Sequence, residues 1–122
     1  MPYTPGPSDN ADVADPSALL ERIRLLAEAP PDNGSRRRLA EIDEALTDGY
    51  ARALALEAEA WRIRRRQGEL ALVLRDPAQA HELQALAVRL AAAEDELGRL
   101  RRALRPLHEH ADSLRATIAA AR

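Results

Sequence analysis

Hydrophobic residues recur at alternating steps of three and four along two stretches of similar length, which Asp76-Pro77 separates. The first stretch places them at Leu39, Ile42, Leu46, Gly49, Ala53, Leu56, Ala60, Ile63, Gln67, Leu70 and Leu74. The second places them at Leu83, Leu86, Leu90, Ala93, Leu97, Leu100, Leu104, Leu107, Ala111, Leu114 and Ile118. This spacing marks the a and d positions of a coiled coil over about five heptads per stretch. It predicts two long helices, at about 35–75 and about 77–120.

The break at Asp76-Pro77 predicts that the chain turns back there, so that the two helices pair antiparallel. Each seam residue of the first helix would then lie opposite the seam residue that brings the sum of their numbers to 153. Ala60 would face Ala93, and Gly49 would face Leu104. Small residues mostly face large ones, which keeps the volume of each layer similar. We therefore expect an all-α fold whose main domain, residues 35–122, is a long antiparallel coiled-coil helical hairpin.

A short accessory helix is predicted before the hairpin. Residues 1–14 are rich in proline and acidic, which is typical of a disordered tail. Asp15 then provides an N-cap with Pro16 at the first helical position, and residues 15–30 follow an amphipathic pattern that ends at Pro30-Pro31. A helix of about 14 residues is marginal alone, so it must pack on the hairpin or on a partner.

Pro106 is the one conflict inside the second long helix, because an interior proline removes a backbone hydrogen bond. The heptad phase nevertheless continues past it to Ile118. We expect one kinked helix, and the alternative is a third helix that begins at Pro106.

Composition narrows the class of protein. The chain has 122 residues, enough for one domain, with only three aromatic side chains and no cysteine. All eighteen basic residues are arginine, a usage typical of bacteria with GC-rich genomes. The net charge of −2 gives no general attraction to nucleic acid or to an anionic membrane. No signal peptide or membrane span is recognisable, so we expect a cytoplasmic protein.

Apolar residues also lie off the seam. Tyr50, Leu54 and Trp61 form a second ridge on the first long helix, and the second long helix has a strip of mostly small residues at Ala85, Val88, Ala91 and Ala92. One interpretation is that the short N-terminal helix covers the ridge. The other is that ridge and strip dock another molecule, most simply a second copy that completes a four-helix bundle.

Charged residues flank the seam in bands. In the predicted register Glu57 faces Glu94, Glu59 faces Glu96 and Arg66 faces Arg89, so these charges are not expected to pair within the hairpin. One interpretation is that these bands are an ordinary solvated surface, and the other is that they fix the position of a partner. The predicted partner-binding residues are Tyr50, Leu54, Trp61, Arg62, Arg65, Arg66 and Arg89.

Catalytic and metal-binding patterns are weak. His108 and His110 are two residues apart, which directs them to different sides of a helix, and no ligand at i+4 completes a metal site. There is no glycine-rich phosphate loop and no cysteine nucleophile. We therefore predict no catalytic, cofactor-binding or metal-binding residues.

Three family resemblances suggest alternatives. The segment Arg36–Leu46 resembles the first helix of the all-helical chorismate mutases, which implies a dicarboxylate held by Arg36 and Arg64, although that pattern's intervening arginine falls at Ala53 and its lysine is missing. A long hairpin with a basic end is similar in outline to the RNA-binding arm of serine-tRNA ligases, which implies nucleic-acid binding at the tip. The size and composition are also consistent with a regulatory helical hairpin such as an anti-sigma factor.

The seam and the ridge favour a different function. We predict a non-enzymatic protein-protein interaction module, acting in oligomerisation, as an adaptor or in regulation. Its expected partners are a second copy, forming a dimer, or another protein, and no membrane.

Overall fold

The computed structural model describes residues 15–29 and 35–121, and every regular element in these ranges is an α-helix. The helices are α1, Pro16–Glu28, α2, Ser35–Val73, and α3, Pro77–Ala120. The predicted all-α class is confirmed, whereas the predicted disordered tail, residues 1–14, lies outside the described residues. None of the helices in the described ranges is both long and apolar enough to cross a bilayer.

Side-chain caps explain where α1 and α3 begin. Asp15 accepts a hydrogen bond from the backbone N–H of Ser17 at 2.9 Å, and Pro16 occupies the first position of α1. Asp76 accepts one from the backbone N–H of Gln79 at 2.9 Å, and the Gln79 side chain accepts one from the backbone N–H of Arg75 at 2.8 Å. Each carboxylate satisfies a backbone donor that has no partner inside its helix.

Pro106 does not end α3, which continues unbroken to Ala120. The alternative of a separate helix beginning at Pro106 is therefore wrong. The apolar positions on both sides of the proline explain the continuity, because Leu104, Leu107 and Ala111 are all buried.

The long helices bury the seam that the heptad pattern predicts. Sixteen of its twenty-two positions are less than a tenth exposed, and they include Ile42, Leu56, Leu70 and Leu107. Five other seam positions are half-buried, and Leu74, beside the turn, is exposed at 44%. Three further residues are buried although they lie off the seam, namely Ile23, Ala45 and Ala103.

The chain divides into two compact units. The three-helix unit contains the described residues up to Tyr50 and from Arg102 onward, which supply α1, the start of α2 and the end of α3. The two-helix unit, Ala51–Arg101, contains the remainder of α2 and α3 with the turn between them.

In the three-helix unit, α1 docks where α2 and α3 carry small residues. Ile23 is fully buried, and its Cδ1 would lie 3.2 Å from a methyl group added to Gly49. Ala45 and Ala103 are buried in the same unit, which explains why they are covered although they lie outside the seam. Arg22 adds an ion pair with Asp48 at 2.6 Å.

The position of α1 corrects one interpretation of the sequence. Tyr50, Leu54 and Trp61 remain 49%, 68% and 59% exposed, so the interpretation in which α1 covers this ridge is wrong. The physical reason is that α1 needs a close approach, which Gly49 allows and a bulky tyrosine or tryptophan side chain does not.

In the two-helix unit, the core near the turn is a single cluster. Ile63, Leu70 and Leu86 are buried, and Leu83 and Leu90 pack against them. The cluster contains both members of two predicted pairs, Leu70 with Leu83 and Ile63 with Leu90. This packing is compatible with the predicted hairpin.

Candidate protein-interaction surface

Five ion pairs join α2 to α3 within the two-helix unit. In three of them the residue numbers of the partners add to 148, and these pairs are Arg66–Glu82, Glu59–Arg89 and Arg52–Glu96. In the other two the numbers add to 158, and these pairs are Arg64–Glu94 and Glu57–Arg101. The two sums lie symmetrically about the value of 153 predicted for the seam. The pairs therefore flank the seam on its two sides.

These ion pairs overturn the expectation that the flanking charges stay unpaired inside the chain. In an antiparallel coiled coil, a g position pairs with a g position and an e position with an e position of the other helix. Arg66 therefore pairs with Glu82, not with Arg89. If one helix slipped by one heptad along the other, Glu59 would pair with Glu96 and Arg66 with Arg89. Both of these pairs carry like charges. Like charges thus penalise the wrong register, while opposite charges stabilise the observed one.

The ion pair between Arg52 and Glu96 is the least exposed of the five, and two hydrogen bonds of 2.6 and 2.8 Å join the two side chains. The hydrogen bonds that Arg52 donates to Glu96, more than the charge of Glu96, raise the pKa of Arg52 above the usual arginine value. Because the pKa of Arg52 is higher in the folded chain than in the unfolded chain, its positive charge stabilises the folded state at every pH below the ordinary arginine pKa. This stabilisation is lost only as the pH rises through the raised pKa. The pKa of Arg66 is raised in the same direction by its hydrogen bond to Glu82.

The four predicted arginines of the site differ in their surroundings. Arg66 and Arg89 are taken up by ion pairs with Glu82 and Glu59 respectively. Arg65 lies over the ring of Trp61, with its guanidinium carbon 5.4 Å from the ring centroid, and reaches Glu69 at 3.5 Å. Arg62 has no charged partner among the residues that the structure describes. Three of the four predicted arginines are therefore paired with carboxylates within the chain.

The predicted aromatic and aliphatic residues divide between the two units. Tyr50 belongs to the three-helix unit, whereas Leu54 and Trp61 belong to the two-helix unit. Leu54 and Trp61 are one heptad apart on α2 and both are more than half exposed. Together with Arg65 they form an exposed surface with an apolar centre and a stacked cation.

Exposed apolar residues also lie beside the turn, where the sequence analysis identified no site. Leu72 is 87% exposed and Val73 is 50% exposed, and these are the last two residues of α2. The sequence indicates this exposure, because the five consecutive apolar residues Leu70–Leu74 point to all sides of a helix and a single buried face cannot cover them all.

Signs of catalytic chemistry are few in the described residues. They contain no group of three or more His, Asp or Glu side chains placed to hold a metal ion. A groove of roughly 410 Å³ in the three-helix unit is lined by Arg22, Leu25, Leu26, Glu41 and Glu44. Nε2 of His110 is buried and has no hydrogen-bond partner within the described ranges.

Known proteins give no further guide to the function. A scan against protein-family models, a search of curated proteins and a search of solved structures each found no match. The surface of Leu54, Trp61 and Arg65 is thus the main basis for a functional proposal.

Proposed function

We propose that the chain is a non-enzymatic protein-interaction module. In this proposal α2 and α3 form an antiparallel coiled-coil hairpin, and the hairpin presents Leu54, Trp61 and Arg65 to a partner protein. The five ion pairs support the hairpin, because opposite charges meet on both sides of the seam in one consistent register.

The observation that carries the functional part is the exposure of Trp61. Trp61 is 59% exposed on a helix whose seam positions are mostly buried, and Leu54 is 68% exposed. Tryptophan and arginine are the residues most enriched at the energetic centres of protein interfaces. Burying Leu54 and Trp61 against a partner would remove apolar surface from water, at about 25 cal/mol per Å².

The paired arginines favour a protein partner over nucleic acid. Phosphate contacts require cationic side chains that are free to reach the backbone of the nucleic acid. Arg64, Arg66 and Arg89 instead have carboxylate partners at 2.5, 3.0 and 3.8 Å.

Affinity capture with quantitative mass spectrometry tests the proposal. Wild-type chain and the variants Trp61→Ala and Leu72→Ala would be used as bait, because Leu72 is also exposed on α2 but lies outside the surface. We expect wild type and Leu72→Ala to retain a shared bound protein, which can be the chain itself, and Trp61→Ala to lose it at unchanged helicity. Binding that does not depend on Trp61 would contradict the proposal, and a large loss of helicity in Trp61→Ala would place Trp61 in the core.

A further inference from the structure

One face of the two-helix unit joins four residues of α2 to four of α3. The α2 residues follow steps of three, four and three, and so share a helix face: Leu54, Glu57, Trp61 and Arg64. The α3 residues follow the same steps: Ala91, Glu94, Gly98 and Arg101. The ion pairs Glu57–Arg101 and Arg64–Glu94 hold the two rows side by side. We call this surface the Trp61 face.

The charges of the Trp61 face are complementary between its two rows. Along α2 the sign changes from negative at Glu57 to positive at Arg64. At the same two levels of α3 it changes from positive at Arg101 to negative at Glu94. The face is therefore neutral as a whole, yet its two rows carry opposite charge at each level.

The sizes of the remaining side chains are complementary in the same way. Pairing Leu54 with Gly98 and Trp61 with Ala91 gives residue numbers that add to 152 in both cases, close to the 153 of the seam. Leu54 and Trp61 are bulky and more than half exposed, whereas α3 has only a glycine and an exposed alanine at these levels. One row thus forms a ridge and the other a shallow groove.

A surface whose two rows complement each other is also complementary to its own copy. Rotation by 180° about an axis parallel to the helices places α2 of one copy on α3 of the other at the same level. Each Trp61 then packs on Ala91 of the other copy, and each Arg64 lies beside the other copy's Glu94.

We propose, on the basis of the function proposed above, that the Trp61 face binds a second copy of this chain in a two-fold symmetric dimer. An unrelated partner would need no match between the rows of α2 and α3, whereas a second copy needs both the charge match and the size match. Both matches are present on this face, which is why we favour a second copy.

Light scattering after size exclusion tests the dimer with two neighbouring variants of the full chain. Wild type and Ala92→Glu should have twice the 13.4 kDa mass of one chain, because Ala92 is exposed but lies outside the Trp61 face. Ala91→Glu should dissociate at least about tenfold more readily, because it fills the groove with a charge. A wild type of 13.4 kDa at about 100 μM, or equal effects of both variants, would overturn the proposal.

A charge-swapped variant tests the contacts between copies. Arg64→Glu combined with Glu94→Arg keeps opposite charges within each chain and between two swapped chains. A mixed dimer with wild type would place arginine on arginine and glutamate on glutamate. If wild-type and charge-swapped chains with different tags paired at random, half of the dimers would be mixed. After subunit exchange we expect the fraction of mixed dimers to be several-fold lower. Mixing at the statistical level would overturn the proposed pairing.

The outcomes also separate this inference from the function proposed above. A monomeric chain that still captures another protein through Trp61 would overturn the second copy as partner and leave the interaction module intact. A monomeric chain with no partner that depends on Trp61 would overturn both.

Discussion

Gly49 and Leu104 lie so close together that a side chain at Gly49 would require the Leu104 side chain to move. A methyl group added to Gly49 would lie 2.5 Å from Cδ2 of Leu104, which is itself 3% exposed. It would also lie 3.2 Å from Cδ1 of Ile23 on α1. One glycine therefore sets how closely three helices pack in the three-helix unit.

Alanine substitutions at two glycines of α2 should have opposite effects on stability. Gly68→Ala should stabilise by about 0.5–1 kcal/mol, because nothing lies within 4 Å of the new methyl group and alanine favours the helix. Gly49→Ala should destabilise by about 1–2 kcal/mol, because overpacking outweighs that gain. Urea denaturation followed by circular dichroism measures both. Stabilisation by Gly49→Ala would show that the approach of Leu104 is not tight.

Removal of the buried side chain of α1 should release that helix. Ile23→Ala should weaken its docking by about 2–4 kcal/mol, whereas Leu25→Ala, at a side chain 59% exposed, should cost under about 0.5 kcal/mol. Hydrogen exchange should show lost protection in α1 and its contacts in the three-helix unit, with the two-helix unit almost unchanged. Equal protection in both variants would refute the docking of α1 through Ile23.

The flanking ion pairs should couple energetically. Arg52→Glu should destabilise by about 0.5–1 kcal/mol, since both partners are partly exposed to solvent. Combining Arg52→Glu with Glu96→Arg should restore most of the lost stability. The interaction energy between the two positions should be smaller in 1 M salt, where the screening length is about 3 Å. Additive single effects would mean that the two charges do not interact in solution.

His110 should be replaceable with a gain in stability. Its buried Nε2 has no hydrogen-bond partner in the part of the chain that is described, and an unsatisfied buried polar atom costs about 1–3 kcal/mol. His110→Leu should therefore raise the midpoint of thermal unfolding. His108→Leu is the control, since His108 is exposed and lies 3.5 Å from Asp112, and it should not raise the midpoint. A lower midpoint for His110→Leu would show that the ring has a partner.

The heptad pattern predicted the buried seam and the meeting of Gly49 with Leu104, because burial along a helix follows its period. The docking site of α1 was missed. Ala45 and Ala103 are unremarkable in sequence, and only the three-dimensional packing shows that they are buried in the same unit as Ile23.

The candidate site was predictable only in part. The exposure of Leu54 and Trp61 follows from their heptad positions, which point away from the seam. The ion pairs of Arg66 with Glu82 and of Arg89 with Glu59 were missed. The reason is that charged residues at the same level of the two helices were compared, instead of g positions with g positions and e positions with e positions. That rule depends on the sequence alone once the register is known, so the ion pairs were recoverable from the sequence.

The proposed hairpin requires that α2 and α3 of one chain lie antiparallel in a single register. The most direct test is a spin-label distance between Ala58→Cys and Ala92→Cys, two exposed positions at nearly the same level in a chain without other cysteines. With labelled chains diluted in unlabelled ones, an antiparallel hairpin should give a separation of roughly 20 Å, set by adjacent helix axes about 8–10 Å apart. A separation of roughly 50 Å, as for two helices in line at about 1.5 Å per residue, would contradict it.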